Sequence, residues 1–243
     1  MIKRTSNLDI ERIIVDLGVE HGDVLMIHAD LRIFGIIENS GQDLVSILNE
    51  CVGPDGCLLT PSFTFSFPGV FDIQKSLTTT GALGKLFSRC DDVRRVPDGM
   101  TSYYIIGKNG KDLIENWDHS SYGKDSIPDQ LVKRNGKVVQ LGTDILSLVH
   151  YVEENVGVPY REVKNFSGII KDGSRKFNSH TNLYVRRENV SKLVPDPIRV
   201  SYFSEKSLNL SFNDRICRCF RAREYVDYAR PRLFENRRIL IQE

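Results

Sequence analysis

Residues 137–161 read KVVQLGTDILSLVHYVEENVGVPYR. The first seven residues, Lys137–Thr143, are an apolar run of strand formers. Ser147 onward repeats apolar residues at helical spacing up to the turn at Gly157 and Pro159. A strand feeding a helix in this way recurs upstream. Residues 8–20 predict a helix ending near Gly18, and 22–30 a buried strand. Residues 40–53 predict a helix with Ser40 as N-cap and Gly53 as stop, and 56–65 a strand. Residues 78–89 predict a short helix, 102–107 a strand, and 110–117 and 127–136 two more helices. Strands alternating with helices imply an α/β sheet covered on both faces. Beyond residue 162 the pattern changes. Residues 179–190 and 201–212 read as strands, and 220–236 as a helix. The expectation is a single domain over 1–243, with 162–243 as a smaller lobe or an edge extension of the same sheet.

The composition narrows the function classes. The formal net charge is +1 with acids and bases interspersed, so nothing drives the chain toward nucleic acid or an anionic membrane. A basic stretch from Arg215 to Arg238 reads as a local patch. The opening residues lack the apolar run of a signal peptide, and no stretch nears the roughly 18 apolar residues of a membrane span. Five cysteines, an odd number, point to reduced thiols and a cytoplasmic location. Cys217 and Cys219 lack metal or redox spacing, so no metal is expected.

The dinucleotide, P-loop and nucleophile-elbow signatures are absent. In open α/β sheets ligands bind at the carboxyl ends of strands. His28 and His150 both fall near such ends. Glu153 follows His150 by three residues, which puts both on one helix face. An imidazole oriented by a carboxylate is suited to take a proton near neutral pH. A lone histidine on a half-buried helix is ordinarily structural, so spacing alone leaves both readings open.

Five segments in order carry a resemblance: MIHADLRIFG (26–35), LLTPSFTFSFPG (58–69), TTTGALGKLFSR (78–89), GKDSIPDQLVKRNGKVVQLGTD (123–144) and SLVHYVEE (147–154). Together, over about residues 8–165, they resemble the aminoglycoside 3-N-acetyltransferase family. The resemblance implies a mixed sheet flanked by helices, distinct from the GNAT acetyltransferase fold. It implies an acyl-CoA-dependent N-acyltransferase with an acyl-CoA co-substrate and no metal. Ser147, His150 and Glu153 match the family's T-x-x-H-x-x-E pattern, whose histidine and glutamate are its catalytic pair. The loop after the first strand lies against coenzyme A in the family, although Ala29 and Asp30 here replace two serines. On that basis Asp30, Leu31, Arg32, Phe34 and Gly35 are expected at the cofactor, with backbone N–H groups of 31–35 holding pantetheine or pyrophosphate. Thr79, Thr80 and Gly81 form a second candidate anion cradle, and Ser102 keeps the last serine of an R-S-x-H-P-x-x-S stretch typical of resistance enzymes.

That stretch lacks its histidine, and Asp98 lies nearby instead. The segment VPYREVKNF (158–166) also differs from an acidic aminoglycoside-binding loop. Both features resemble relatives encoded with surface-polysaccharide genes. The expected acceptor is therefore the amino group of a nucleotide-linked sugar, with an aminoglycoside as the alternative. Asp98, Tyr160, Arg161 and Lys164 are the expected acceptor contacts, the cations meeting a diphosphate. The expected partners are these small molecules, and the sequence leaves a homo-oligomer open. A non-catalytic relative is disfavoured because His150 and Glu153 are both present.

Overall fold

The computed structural model describes residues 4–38, 43–187, 190–192 and 195–242. Ser40, the expected N-cap, lies outside the described residues. In chain order the first half holds β1 (Arg4–Thr5), α1 (Asn7–Asp16), β2 (Val24–Ala29), a 3-10 turn (Leu31–Phe34), β3 (Ile36–Ile37), α2 (Asp43–Val52) and β4 (Cys57–Pro61). Then come β5 (Val70–Asp72), α3 (Ala82–Phe87), β6 (Arg94–Arg95), β7 (Tyr103–Ile106), α4 (Gly110–Glu115), α5 (Ile127–Lys133) and β8 (Lys137–Leu141). The remainder is α6 (Leu148–Val156), β9 (Arg161–Asp172), β10 (Arg175–Arg186), β11 (Ser191–Lys192), α7 (Pro197–Glu205), β12 (Leu208–Phe212), β13 (Arg215–Arg221), α8 (Ala222–Glu235) and β14 (Ile241–Gln242).

The main sheet has seven strands in the order β12-β13-β8-β2-β4-β7-β6. Its centre is parallel: β2 pairs with both β8 and β4. The flanks are antiparallel, with β7 against β4 and β13 against β8. The sheet is therefore mixed and helix-flanked, the architecture expected from the sequence.

Alternation along each strand builds two cores. Leu25, Ile27, Leu58 and Val139 face one way, onto α1, α2 and α3 through Ile10, Ile14, Leu48 and Phe87. Met26, Leu59, Val138 and Ile105 face the other way, onto α5, α6 and α8 through Leu131, Val152 and Tyr225. Helix α1 starts at a capping box: the Ser6 side chain accepts from the Asp9 N–H, and the Asp9 carboxylate accepts from the Ser6 N–H.

Beyond residue 162 the chain divides. β9 and β10 form a long hairpin that pairs with β5 in a separate three-stranded sheet. β12 and β13 extend the main sheet, and α8 packs on α6. Two readings are corrected here. Residues 201–205 close a helix, because Asp196 accepts from the Arg199 N–H and Pro197 suits a first helical turn; only Leu208–Phe212 is strand. The charged stretch after Pro159 is the first half of a twelve-residue strand. Among the described residues, no helix is long and apolar enough to cross a membrane.

Candidate active site

The parallel strands β2, β4 and β8 end together, and their carboxyl ends open into a cleft of about 770 Å³. From β2 come His28, Asp30, Leu31 and Arg32. From β4 and the segment entering α3 come Thr60, Phe63, Thr79, Thr80 and Gly81. The loop between β8 and α6 adds Thr143, Ile145 and Ser147. Asp30, Leu31, Arg32, Thr79, Thr80 and Gly81 are thus gathered as expected. Thr60, Phe63, Thr143 and Ile145 were missed, although Thr60 lies at the end of a parallel strand and the others just beyond one, where the rule for such sheets directs attention.

Most donors of the expected backbone cradles are already paired. The Arg32 N–H donates to Asp30 Oδ1 at 3.1 Å, the Ile33 N–H to the Asp30 carbonyl at 3.0 Å, and the Gly35 N–H to the Arg32 carbonyl at 3.2 Å. The Thr79 N–H donates to the Phe63 carbonyl at 2.8 Å, and the Thr80 N–H to Thr78 Oγ1 at 3.1 Å. With these donors engaged, Arg32, Thr79 and Thr80 meet the cleft mainly through their side chains. Asp30 is gripped by Arg32 at 2.6 Å and Arg215 at 2.7 Å. The hydrogen bond from Arg32 is the largest influence; joined by that from Arg215 it outweighs the opposing effect of burial and holds the carboxyl far below the usual range.

Three other placements differ from expectation. Phe34 is fully buried in the α1–α2 core, and its partner Gly35, at φ +61°, turns the chain away from the cleft. Ser102 is fully buried and donates to the Val96 carbonyl at 2.7 Å. Asp98 is 1% exposed and accepts from the Met100 N–H, Thr101 Oγ1 and Thr181 Oγ1 at 2.7–2.8 Å. Burial raises its pKa, the hydrogen bonds only partly opposing this. It ties the loop before β7 to β10 and does not line the cleft.

Helix α6 starts just after Ser147, whose side chain does not cap it. Ser147 Oγ instead faces the cleft and lies 3.4 Å from His28 Nε2. Burial lowers the His28 pKa to about 4, so that ring is neutral. One turn on, His150 shares the helix face of Ser147. His150 Nδ1 is 2.6 Å from Glu153 Oε2. That contact assigns the Nδ1 proton to the bond with the carboxylate and leaves Nε2 as the acceptor. The edge of the Tyr122 ring packs at 5.1 Å, and 24% of the His150 side chain remains exposed. Burial lowers the His150 pKa, outweighing the upward pull of Glu153.

Glu153 is 3% exposed at its side chain and fully engaged. Tyr160 Oη donates to Oε1 at 2.9 Å, and Arg161 Nε lies 2.8 Å from Oε2, an ion pair without hydrogen-bond alignment. Burial would raise the Glu153 pKa, but His150, Arg161 and Tyr160 outweigh it and hold the carboxyl ionised. Of the expected acceptor contacts, Tyr160 and Arg161 therefore face inward. Lys164, three positions after Arg161 on the same strand, points to the opposite face and pairs with Glu162 at 3.2 Å. Gly157, at φ +68°, reverses the chain between α6 and β9, and this reversal folds Tyr160 and Arg161 back onto Glu153.

The next residue on α6, Glu154, behaves differently. Its Oε2 is buried without a partner among the described residues, and burial raises its pKa to about 7. Folding thus favours the protonated form. That contribution is complete below the ordinary value of 4.5 and is lost as pH rises through about 7. Glu154→Gln should raise Tm at pH 8 by roughly 2–4 °C, the shift that about 1 kcal/mol gives a domain of this length. It should leave Tm nearly unchanged at the acid end, and the effect at pH 5 should be much smaller than at pH 8. Calorimetric melts at the two pH values check this, and equal effects at both would refute it.

An imidazole held by an ionised carboxylate, one helical turn from a cleft of about 770 Å³, is an arrangement able to take a proton from an amine. Comparison with known proteins points the same way. The profile of the family described as aminoglycoside 3-N-acetyltransferase matches residues 26–233. Aminoglycoside N(3)-acetyltransferase III of Serratia marcescens is 28% identical over 178 residues, which cover 62% of this chain and 65% of that enzyme, under two thirds of its length. The crystal structure of aminoglycoside acetyltransferase AAC(3)-Xa superposes with a TM-score of 0.84 at 19% identity, covering 96% of this chain and 93% of that one. A structure of AAC-IIIb with CoASH superposes at 0.81 with 17% identity, covering 96% and 97%. At such identities the structures establish the fold. The family profile and the curated relative overturn the expected nucleotide-linked sugar in favour of the aminoglycoside alternative. Arg161, one of the two cations on which that expectation stood, is engaged by Glu153 instead. The chain belongs to the aminoglycoside 3-N-acetyltransferase family.

Proposed function

We propose that the protein transfers an acyl group from acyl-CoA to the 3-amino group of an aminoglycoside, with His150 as general base and Glu153 as its orienting carboxylate. The observation that carries this reading is the 2.6 Å His150–Glu153 contact one helical turn from the cleft residue Ser147. The cleft volume of about 770 Å³ lies within the range of small-molecule and cofactor sites, and its lining mixes apolar and hydroxyl groups, which suits an extended pantetheine chain. The solved relative named for its complex with CoASH supports the same co-substrate.

The thioester supplies an activated acyl carbon, which exchanges its C–S bond for a C–N bond. The residues of this chain do the rest. Nε2 of His150 takes the proton leaving the amine, and Glu153 stabilises the imidazolium through Nδ1–H. The imidazolium can then return that proton to the departing thiolate. Glu153 has no free oxygen for the acceptor, so it orients the base and does not bind the amine. All five cysteines are free, which supports a reducing compartment such as the cytoplasm. Four of them are buried, and burial raises the Cys57, Cys217 and Cys219 thiols to about 11–12, so a thiolate nucleophile is disfavoured.

The test is thiol release from acetyl-CoA with gentamicin, kanamycin and sisomicin as acceptors. Free CoA should appear in step with acetylated aminoglycoside. Calorimetric binding of CoA with no thiol release on any aminoglycoside at millimolar concentration would overturn the acceptor assignment.

A further inference from the structure

Arg161 and Tyr160 lie behind the base, in contact with its carboxylate. Arg161 is 7% exposed at its side chain, and its Nη1 donates to the Tyr184 carbonyl at 3.0 Å. The guanidinium is thereby fixed between β10 and Glu153. Oε2 of Glu153 is shared between His150 Nδ1 and Arg161 Nε. A carboxylate so deeply buried and facing an imidazole alone would draw a proton onto the ring and hold it as an ion pair. A protonated ring cannot act as a base.

We propose that Arg161 is a positioning residue that keeps His150 a free base: its cation balances Glu153, so the carboxylate orients the imidazole without holding it protonated. This rests on the reading of His150 as the general base. The charged and titratable groups facing His150 are few. Glu153 comes from its own helix, Arg161 and Tyr160 from β9, Lys192 from β11, and Tyr122 from the turn before α5. Both tyrosines are neutral phenols, their pKa values pushed up by burial. Lys192 adds a second positive charge of the same effect as Arg161, but it makes no ion pair with Glu153. The single anion is thus opposed by a fixed cation at contact distance, and burial then decides in favour of the neutral ring.

The proposal separates Arg161 from a merely structural strut, because it predicts a change in pH dependence. In the wild-type protein the His150 ring should titrate below 6.5, and the acid limb of kcat/KM should follow it. Arg161→Gln should shift the ring pKa measurably upward, since it removes a cation that disfavours the imidazolium and leaves the Glu153 charge less opposed. At a pH below the new value the rate should fall about tenfold per unit and recover as pH rises. Arg161→Lys should restore most of the wild-type profile, and Glu153→Gln should move the ring pKa the other way.

The readout is the titration of labelled histidine rings by NMR, with His150→Asn assigning the signal, alongside the pH–rate profile. The ring titration needs no acceptor. Failure to acylate any aminoglycoside would therefore sink the acceptor reading while the Arg161 proposal is still read out. An unchanged or lowered ring pKa in folded Arg161→Gln would overturn the proposal, as would a rate loss independent of pH. Should Arg161→Gln not fold, the Lys and Gln variants decide. A raised ring pKa in Arg161→Lys, or an unmoved one in Glu153→Gln, overturns it equally.

Discussion

Replacing His150 with asparagine is expected to lower the turnover of acyl-CoA and amine by about 10²–10⁴-fold, the usual contribution of a positioned general base. The loss should appear in kcat, because the ring acts on the proton leaving the amine and not on the resting contacts of either substrate. The fold should survive for a reason visible in the site. Removing the imidazole leaves Glu153 with Tyr160 Oη at 2.9 Å and Arg161 Nε at 2.8 Å, so no buried charge is orphaned. Calorimetric affinity for acyl-CoA should be unchanged, since the ring lies a helical turn beyond Ser147, the cleft residue that precedes α6. The measurement is single-turnover thiol release beside CoA titration. A variant that keeps more than about a third of the wild-type rate, far above the expected residue, would remove His150 from its role. A variant that loses CoA binding in parallel would show that the ring supports the cleft instead.

The central strands were legible because they are buried on both faces. β2, β4, β7 and β8 read as mostly apolar runs between turn residues, and each appears within a few residues of its expected place. β9 and β13 were not legible. β9 carries Glu162, Lys164, Asn165 and Lys171 on faces open to solvent, so it reads as a charged loop; its strand conformation comes from pairing with β10. β13 interleaves Arg215, Arg218 and Arg221 with buried Cys217 and Cys219, and it reads as a basic patch until β8 is placed beside it. The same limit applies to the site. His150 and Glu153 were legible because both sit on one helix, where spacing fixes the side-chain direction. Tyr160 and Arg161 were found in the right neighbourhood and given the wrong direction. Their aim is set by the left-handed turn at Gly157, which sequence distance does not encode. Phe34 shows the opposite failure: its loop reaches the cleft, but its own side chain goes to the core.

Phe34→Ala distinguishes these two sides of one turn. The ring is fully buried, packs edge-on against Phe212 at 6.0 Å between centroids, and shares a core with Ile10, Ile14 and Leu44. Deleting a buried phenylalanine ring leaves a cavity that costs about 3–5 kcal/mol. In a domain of this length each kcal/mol moves Tm by about 2–4 °C, so a fall of roughly 6–20 °C is expected. KM for acyl-CoA should stay near wild type below the melt, because the side chain does not line the cleft. Two residues earlier, Arg32 is 81% exposed at its side chain and does line it. Arg32→Ala should change stability by no more than about 0.5 kcal/mol, as exposed substitutions usually do. Asp30 keeps Arg215 as a partner in that variant, so its carboxylate is not stranded. Its effect should fall on KM for acyl-CoA, where a cation at the cleft mouth contributes to binding an anionic ligand. The paired melts and KM values therefore form a cross. If Phe34→Ala melts like wild type and raises KM for acyl-CoA, the ring belongs to the cofactor site and its assignment to the α1–α2 core fails.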